Sequence, residues 1–262
     1  MQKKLPKSLV SEFNVKVYSE NNIESSIRYI VKESKFNILV NGKKFTSAML
    51  LPDKIKEFTY GFLFTSDIIQ KSSDIVHFRT CEQNNIYTYL EDMYFDVSTK
   101  KGWTVTSGCG GGKVLEKTYS NNEKITYDTK FAFDEIITLF TRLEKESELH
   151  THTRCVHKAY FKSVDGFVFT CEDIGRHNTI DKTIGAILLS GSTADGIILS
   201  TGRLTSEMIL KCAKAKIPVV VSRTAPSEEG IKIAKESNMT LIGLTSRKGF
   251  TLFTGEERII KN

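Results

Sequence analysis

The sequence predicts an α/β protein. A β-rich part over residues 1–130 ends in a cysteine-bearing glycine loop, and an α/β part over 131–262 is built on a largely parallel sheet. Three observations predict this. From Gly196 onward, buried strand-like runs alternate with helical periodicity in the order β-α-β-α-β. Before Asp134, short strand-like runs are separated by turn signals. The chain has 262 residues and is 40% hydrophobic, enough to bury a sizeable core.

The elements follow in order. Asn37-Ile38-Leu39-Val40, the turn Asn41-Gly42 and Lys43-Lys44-Phe45-Thr46 form a two-residue hairpin signal. After Pro52, Ile55, Phe58, Phe62 and Leu63 share one helical face over Asp53–Phe64. Strand-like segments follow at Ile75–Phe78, Ile86–Leu90 and Tyr94–Val97. Residues 99–130 are polar and contain glycine. Asp134 then caps an amphipathic helix Glu135–Leu149 built on Ile136, Leu139, Phe140 and Leu143. From His157 the pattern predicts a hairpin turned at Asp165-Gly166 and a helix Ile180–Leu189. Strand Gly196–Ser200, helix Thr205–Lys216, strand Ile217–Ser222, helix Ser227–Ser237 and strand Met239–Leu244 complete the alternation. Phe250-Thr251-Leu252-Phe253 adds a last strand.

Composition narrows the function. No apolar run approaches the ~20 residues that span a bilayer, and the first residues, Met1-Gln2-Lys3-Lys4, lack the apolar stretch of a secretion signal. The expected compartment is the cytoplasm. The five cysteines are odd in number and scattered, which favours reduced thiols over a disulfide framework. A net charge of +6 favours anionic partners, but Lys and Arg form no single tract, which argues against nucleic acid.

Ser107-Gly108-Cys109-Gly110-Gly111-Gly112-Lys113 holds the best candidate nucleophile. Backbone N–H groups freed by glycines, together with Lys113, favour a thiolate or a persulfide anion at Cys109. The alternative is a surface loop with an incidental cysteine. A phosphate loop is excluded, because Ser107 holds its first glycine position and Val114 follows the lysine.

The densest polar cluster is Glu172-Asp173-Ile174-Gly175-Arg176-His177-Asn178-Thr179-Ile180-Asp181-Lys182, on a strand-to-helix turn. Asn178 reads as the cap of the following helix, with Asp181 in its first turn. Arg176 and His177 precede that cap and suit an anion site, with Asp173 orienting one of them. His177 also suits acid–base work. Arg203, Arg223 and Arg247 each follow the carboxyl end of a predicted strand, so with Arg176 they line one crevice. Such a crevice fits a ligand with several phosphates; the alternative is that one or two of these arginines simply pair with local carboxylates. His150, His152, Cys155 and His157 cluster within eight residues, but their spacing matches no standard zinc pattern, and no metal site is predicted.

The cluster resembles the EDxGRHNxxDK signature of the FdhD family (FdhD/NarQ), the formate dehydrogenase accessory sulfurtransferases. The resemblance extends to Asn41-Gly42, Gly61-Phe62-Leu63-Phe64, Thr201-Gly202-Arg203 and Glu207-Met208. It implies a cytidine-deaminase-like three-layer sandwich in the carboxyl-terminal half. It also implies a sulfur carrier: a cysteine desulfurase loads Cys109 as a persulfide. The sulfur then passes to the molybdenum or tungsten bis-pyranopterin guanine dinucleotide cofactor required by formate dehydrogenase. Binding both cofactor halves suggests a homodimer. By position, His157 matches a family pocket histidine, and Arg247, Lys248, Gly249, Phe250, Thr251 and Leu252 would help hold the guanine. The family loop carries a C-x-x-C pair, whereas Gly112 stands here at the second position. A non-catalytic cofactor chaperone is therefore the alternative. A zinc deaminase is not expected, because the chain lacks H-x-E paired with P-C-x-x-C.

Overall fold

The computed structural model describes residues 5–81, 83–95, 124–145 and 147–260. The candidate thiol Cys109 and its glycine loop lie outside them.

The first strands, β1 (Val10–Ser19) and β2 (Asn22–Val31), form a separate two-stranded ribbon. β3 (Ser34–Val40) and β4 (Lys43–Leu50) form the predicted hairpin. Asn41 and Gly42 both adopt positive φ, 48° and 77°, the conformation this tight turn requires. Asn41 Oδ1 also accepts from Leu90 N at 2.9 Å, tying the turn to β6 (Asn85–Leu90). With β5 (Ile75–Thr80), these strands make a four-stranded sheet in the order β4-β3-β6-β5. Phe36, Ile38, Val40, Ala48, Leu50 and Ile86 bury one face of it with Phe58, Phe62 and Leu63 of α1 (Ile55–Thr65). Tyr94 and Phe95 do not begin a strand. Their N–H groups turn back onto Asp92, and the rest of that predicted strand lies outside the described residues.

The second sheet has six strands in the order β13-β12-β11-β10-β8-β9. They are β8 (His157–Ser163), β9 (Val168–Asp173), β10 (Gly196–Ser200), β11 (Val219–Ser222), β12 (Thr240–Ser246) and β13 (Gly249–Thr254). β10, β11 and β12 are parallel, linked through α5 (Ser206–Lys214) and α6 (Glu228–Glu236). The sheet is nonetheless mixed rather than largely parallel. The β8–β9 turn and the two-residue Arg247-Lys248 turn are too short for a crossover, so these connections run antiparallel.

Helices cover both faces of this sheet. α4 (Arg176–Ser190), α5 and α6 bury Ile180, Ile184, Met208, Ile209 and Ile233 against Phe161, Ile198, Val220 and Leu241. On the other face, α2 (Phe133–Lys145) buries Ile136, Leu139, Phe140 and Leu143 against Tyr160, Leu199 and Val221. Asp134 lies inside the first turn of α2 instead of capping it. The helix stops at Lys145 because Ser147 caps a separate helix, α3 (Glu148–Thr153), by accepting from His150 N at 2.8 Å. A short pair, β7 (Phe131–Ala132) and β14 (Ile259–Ile260), holds Ile259 and Ile260 beside the start of α2.

α1 docks directly on α4. A Cβ built on Gly61 would sit 1.8 Å from the Asp181 carbonyl oxygen, and one on Gly185 would sit 1.8 Å from that of Glu57. Two backbones meet where neither can carry a side chain, which locks the helix bearing the polar cluster to the amino-terminal part.

Candidate functional site

Strand register gathers the polar cluster at one edge of the six-stranded sheet. β8 runs antiparallel to β10, with Ala159 opposite Ser200, so His157 stands at the carboxyl end of β10. His157 also pairs with Asp173, the last residue of β9. Thr201, Arg223 and Arg247 follow the ends of β10, β11 and β12 at the same edge. Thr201 is fixed there twice: its N donates to Lys158 O at 3.1 Å, and its Oγ1 accepts from Lys158 N at 2.9 Å. Gly202 turns the chain with Ser200 Oγ accepting its N–H at 3.0 Å and Ser222 Oγ donating to its carbonyl at 2.7 Å. Arg176 lies across that glycine, where a Cβ would meet Arg176 Cβ at 2.7 Å.

Within the cluster the structure separates scaffold from surface. Asp173, Asn178, Asp181 and Lys182 are buried. Asp173 Oδ1 accepts from Gly175 N at 3.0 Å and Asn178 Nδ2 at 2.7 Å. Its Oδ2 accepts from Leu51 N at 3.2 Å and pairs with Lys182 Nζ at 2.7 Å. Lys182 Nζ also donates to Glu172 O at 3.0 Å. These bonds join the ends of β4 and β9 to the start of α4. Two expectations are thereby corrected. Asn178 is not the cap, because α4 already begins at Arg176 behind Gly175 and the Asn178 amide donates instead to Met49 O at 3.0 Å and to Asp173. Asp173 orients Asn178 and Lys182, not Arg176 or His177. Asp181 belongs to a second tie, accepting from Thr65 Oγ1 at 2.8 Å and Lys211 Nζ at 2.5 Å, and burial pushes its pKa up.

Of the other candidate residues, Arg203, Arg223 and Arg247 are exposed, and Arg176, His177 and His157 are half-buried. Burial lowers the His157 pKa, reinforced by the nearby charges of Arg176, His150 and Arg203. His177 is more extreme: burial, then Lys211 and Arg176, bring its pKa to about 3, so its ring is neutral. Glu207 Oε2 lies 3.2 Å from His177 Nε2, but that nitrogen has no aligned hydrogen bond. Burial also raises the Glu207 pKa. A neutral imidazole beside a carboxyl of raised pKa is suited to holding or passing a proton.

Arg223 and Arg247 converge on one carboxylate. Arg223 Nη1 is 3.8 Å from Glu144 Oε1, and Arg247 Nε is 3.4 Å from Glu144 Oε2. Both arginine side chains stay more than 60% exposed, at 67% and 61%, so they are held by a weak surface pair and open to an anion. Arg203 and Lys248 are exposed at the same edge. Phe250 packs on Phe133 with ring centroids 5.2 Å apart, and with Leu252 it joins the core under α2. Gly249 and Phe250 begin β13 at this edge, whereas Thr251 and Leu252 run down the strand away from it, opposite Gly243 and Ile242.

Sequence reasoning missed Glu144, Lys158, Glu207 and Lys211. Glu207 entered the family resemblance with Met208, but as an acid in the first turn of α5, a common dipole partner, it carried no sign of its contact with His177. Lys158 is buried, donates from Nζ to Glu144 O at 2.9 Å, and has its pKa lowered by burial.

Among the described residues, no group of three His, Cys, Asp or Glu side chains suited to a metal occurs. His150 Nδ1 is 3.0 Å from Val156 O, and His152 meets the Tyr29 ring edge-on. The thiols of Cys171 and Cys212 are buried and pushed up to about 12 by that burial, which makes them unreactive. Cys155 is exposed and Cys81 half-buried.

Over residues 31–260 the chain matches the FdhD/NarQ family. The chain belongs to that family. The sulfur carrier protein FdhD of Bacillus pumilus is 30% identical over 254 residues, covering 92% of this chain and 94% of that protein. The sulfur carrier protein FdhD of Wolinella succinogenes is 32% identical over 240 residues, covering 88% and 82%. The crystal structure of a formate dehydrogenase accessory protein from Desulfotalea psychrophila superposes with a TM-score of 0.82 at 29% identity, covering 96% of this chain and all of that one. In this FdhD/NarQ chain the signature therefore supplies a buried clamp, and the exposed arginines Arg203, Arg223 and Arg247 come from outside it.

The depressed His177 pKa has a measurable consequence. The folded ring stays neutral while the unfolded chain takes up a proton below the ordinary histidine value of 6.5, so the unfolded state binds more protons there and stability falls as pH drops. The wild type is expected to lose up to about 1.4 kcal/mol per pH unit below that value relative to His177→Gln. Urea unfolding of both proteins at pH 5 and pH 7.5 checks this. Parallel losses would show that His177 does not stay neutral.

Proposed function

We propose that this protein is a cytoplasmic sulfur carrier acting as a sulfurtransferase in the maturation of formate dehydrogenase. The Cys109 thiolate attacks the terminal sulfur of a cysteine desulfurase persulfide. The S–S bond of the donor breaks, Cys109 gains a persulfide, and the donor leaves as a thiolate, with no net oxidation. The Cys109 S–S bond then breaks and Cys109 leaves as a thiolate. The outer sulfur passes to the molybdenum or tungsten cofactor, bound as substrate in its bis-pyranopterin guanine dinucleotide form, with a low-molecular-weight thiol as the two-electron reductant that takes it to sulfide. The observation that carries this reading is the basic rim at the carboxyl edge of the sheet, in a chain whose named relatives are sulfur carriers.

The residues suit such a substrate. Arg176, Arg203, Arg223 and Arg247 supply guanidinium groups for phosphates. α4 begins at Gly175, which offers no side-chain cap, and its first turn carries no acid, so this helix N-terminus suits an anion. His157 and His177 border the same edge. Lys248, Gly249 and Phe250, at the same sheet edge, are assigned to the base, whereas Thr251 and Leu252 would act through strand β13. The same reading divides the chain near residue 130 and gives residues 131–262 a deaminase-like sandwich. A mixed sheet with helices on both faces supports that assignment. A homodimer completes the reading.

Intact-protein mass spectrometry after incubation with a cysteine desulfurase and cysteine tests the sulfur step. Wild type is expected to gain one sulfur and Cys109→Ala none. If Cys109→Ala still supports formate dehydrogenase activation, the cofactor-chaperone reading, motivated by Gly112 at the second loop position, replaces the relay.

A further inference from the structure

The β1–β2 ribbon is packed only at its base. Val10 is buried with Leu5, Leu51, Leu149 and Val156, and Tyr29 and Val31 lean on the same cluster. Further out, Phe13, Tyr18, Ile23 and Ile27 are 53%, 71%, 58% and 61% exposed. Two strands alone are marginal in water, and neighbouring exposed apolar side chains mark an association surface. β2 is the inner strand, since its Tyr29 meets His152 of α3. β1 is the outer strand and, among the described residues, pairs with β2 alone. Its other edge offers backbone groups to a further strand.

The sequence of β1 is complementary to itself. Set antiparallel against a copy about Asn14, Glu12 faces Lys16, Phe13 faces Val15, Val10 faces Tyr18, and Asn14 faces Asn14. Both charges meet their opposites, Phe13 and Tyr18 each meet a valine, and only Val17 faces a small polar residue, Ser11. A slip of one residue places Phe13 opposite Lys16 and Glu12 opposite Val17, pairings that lose both kinds of complementarity. Because the operation is a twofold, each favourable pair occurs twice.

We propose that β1 pairs antiparallel with β1 of a second copy of this chain about a twofold through Asn14, joining two ribbons into a four-stranded sheet. The proposal gives the homodimer expectation a specific surface and rests on that part of the proposed function, while requiring nothing of the sulfur chemistry.

Charge reversal in the full chain, followed by sedimentation equilibrium, tests it. Glu12→Lys alone sets like charges opposite each other twice and is expected to weaken the dimer at least about tenfold. Glu12→Lys combined with Lys16→Glu restores both pairs and is expected to restore dimerisation. Independently, Asn14→Cys is expected to form an intermolecular disulfide that the parent protein does not, because Cα atoms directly opposite in an antiparallel ladder lie about 4.5–5.5 Å apart, within disulfide reach. A monomeric wild type would overturn the proposal. So would a dimer indifferent to both charge variants, or one that Asn14→Cys does not cross-link. Sulfur loading of Cys109, measured on the same samples, separates failure of the ribbon from failure of the sulfur-carrier reading.

Discussion

Lys182→Met is expected to destabilise the protein by about 3–5 kcal/mol, the cost of leaving a buried carboxylate without its cation. The side chains of Asp173 and Lys182 are both 0% exposed, and the Nζ–Oδ2 distance is 2.7 Å. Removing the ammonium leaves Asp173 with three neutral donors, Leu51 N, Gly175 N and Asn178 Nδ2. It also strips a donor from the Glu172 carbonyl. The double variant Asp173→Asn with Lys182→Met removes both charges, so it is expected to cost less than Lys182→Met alone. Urea unfolding of the three proteins at neutral pH measures the difference. A Lys182→Met cost under about 1 kcal/mol, or a double variant less stable than the single, would show that the pair is not the clamp described above.

That clamp explains how much of the site could be read from sequence. The Glu172–Lys182 run stood out because its polar residues interrupt two apolar segments, and its position on a strand-to-helix turn is as expected. The division of labour inside it was not legible. Asn178 has the chemistry of a cap, but Gly175 starts the helix a turn earlier, and only the fold brings Met49 and Leu51 within reach of the amide and carboxylate. The placement of the arginines at one sheet edge was readable, because Arg223 and Arg247 directly follow β11 and β12 and Arg203 comes three residues after β10. Their counter-charge was not, since Glu144 sits at the far end of a helix on the opposite face. The sequence gives no reason for glycine at 61 and 185, and only the contact of α1 with α4 shows why neither can carry a side chain. The β1–β2 ribbon gave no strong turn signal at Glu20-Asn21, and its mixed apolar and polar faces hide the alternation of a half-buried strand.

Arg176→Ala is expected to weaken binding of guanosine diphosphate, used as a probe for the cofactor's phosphates, by about 10- to 100-fold, the value of one or two charge-assisted hydrogen bonds. Arg176 is favoured over the other arginines because it is half-buried at the start of α4, whose first turn carries no acid, so under the proposed function its guanidinium and the helix N–H groups would serve one anion. Arg223→Ala should cost less, since that side chain is 67% exposed and already shares Glu144 with Arg247. Glu144→Gln should act in the opposite direction and tighten binding, because it releases both arginines from their counter-charge without changing the rim's shape. Isothermal titration calorimetry with the four proteins reads all three effects. Unchanged affinity in Arg176→Ala together with a large loss in Arg223→Ala would move the phosphate site away from the α4 terminus to the ends of β11 and β12. Unchanged affinity in every variant would remove the rim from cofactor binding altogether. The expected ranking, Arg176 before Arg223 with Glu144 of opposite sign, follows from burial and charge pairing alone, so it tests the geometry independently of sulfur transfer.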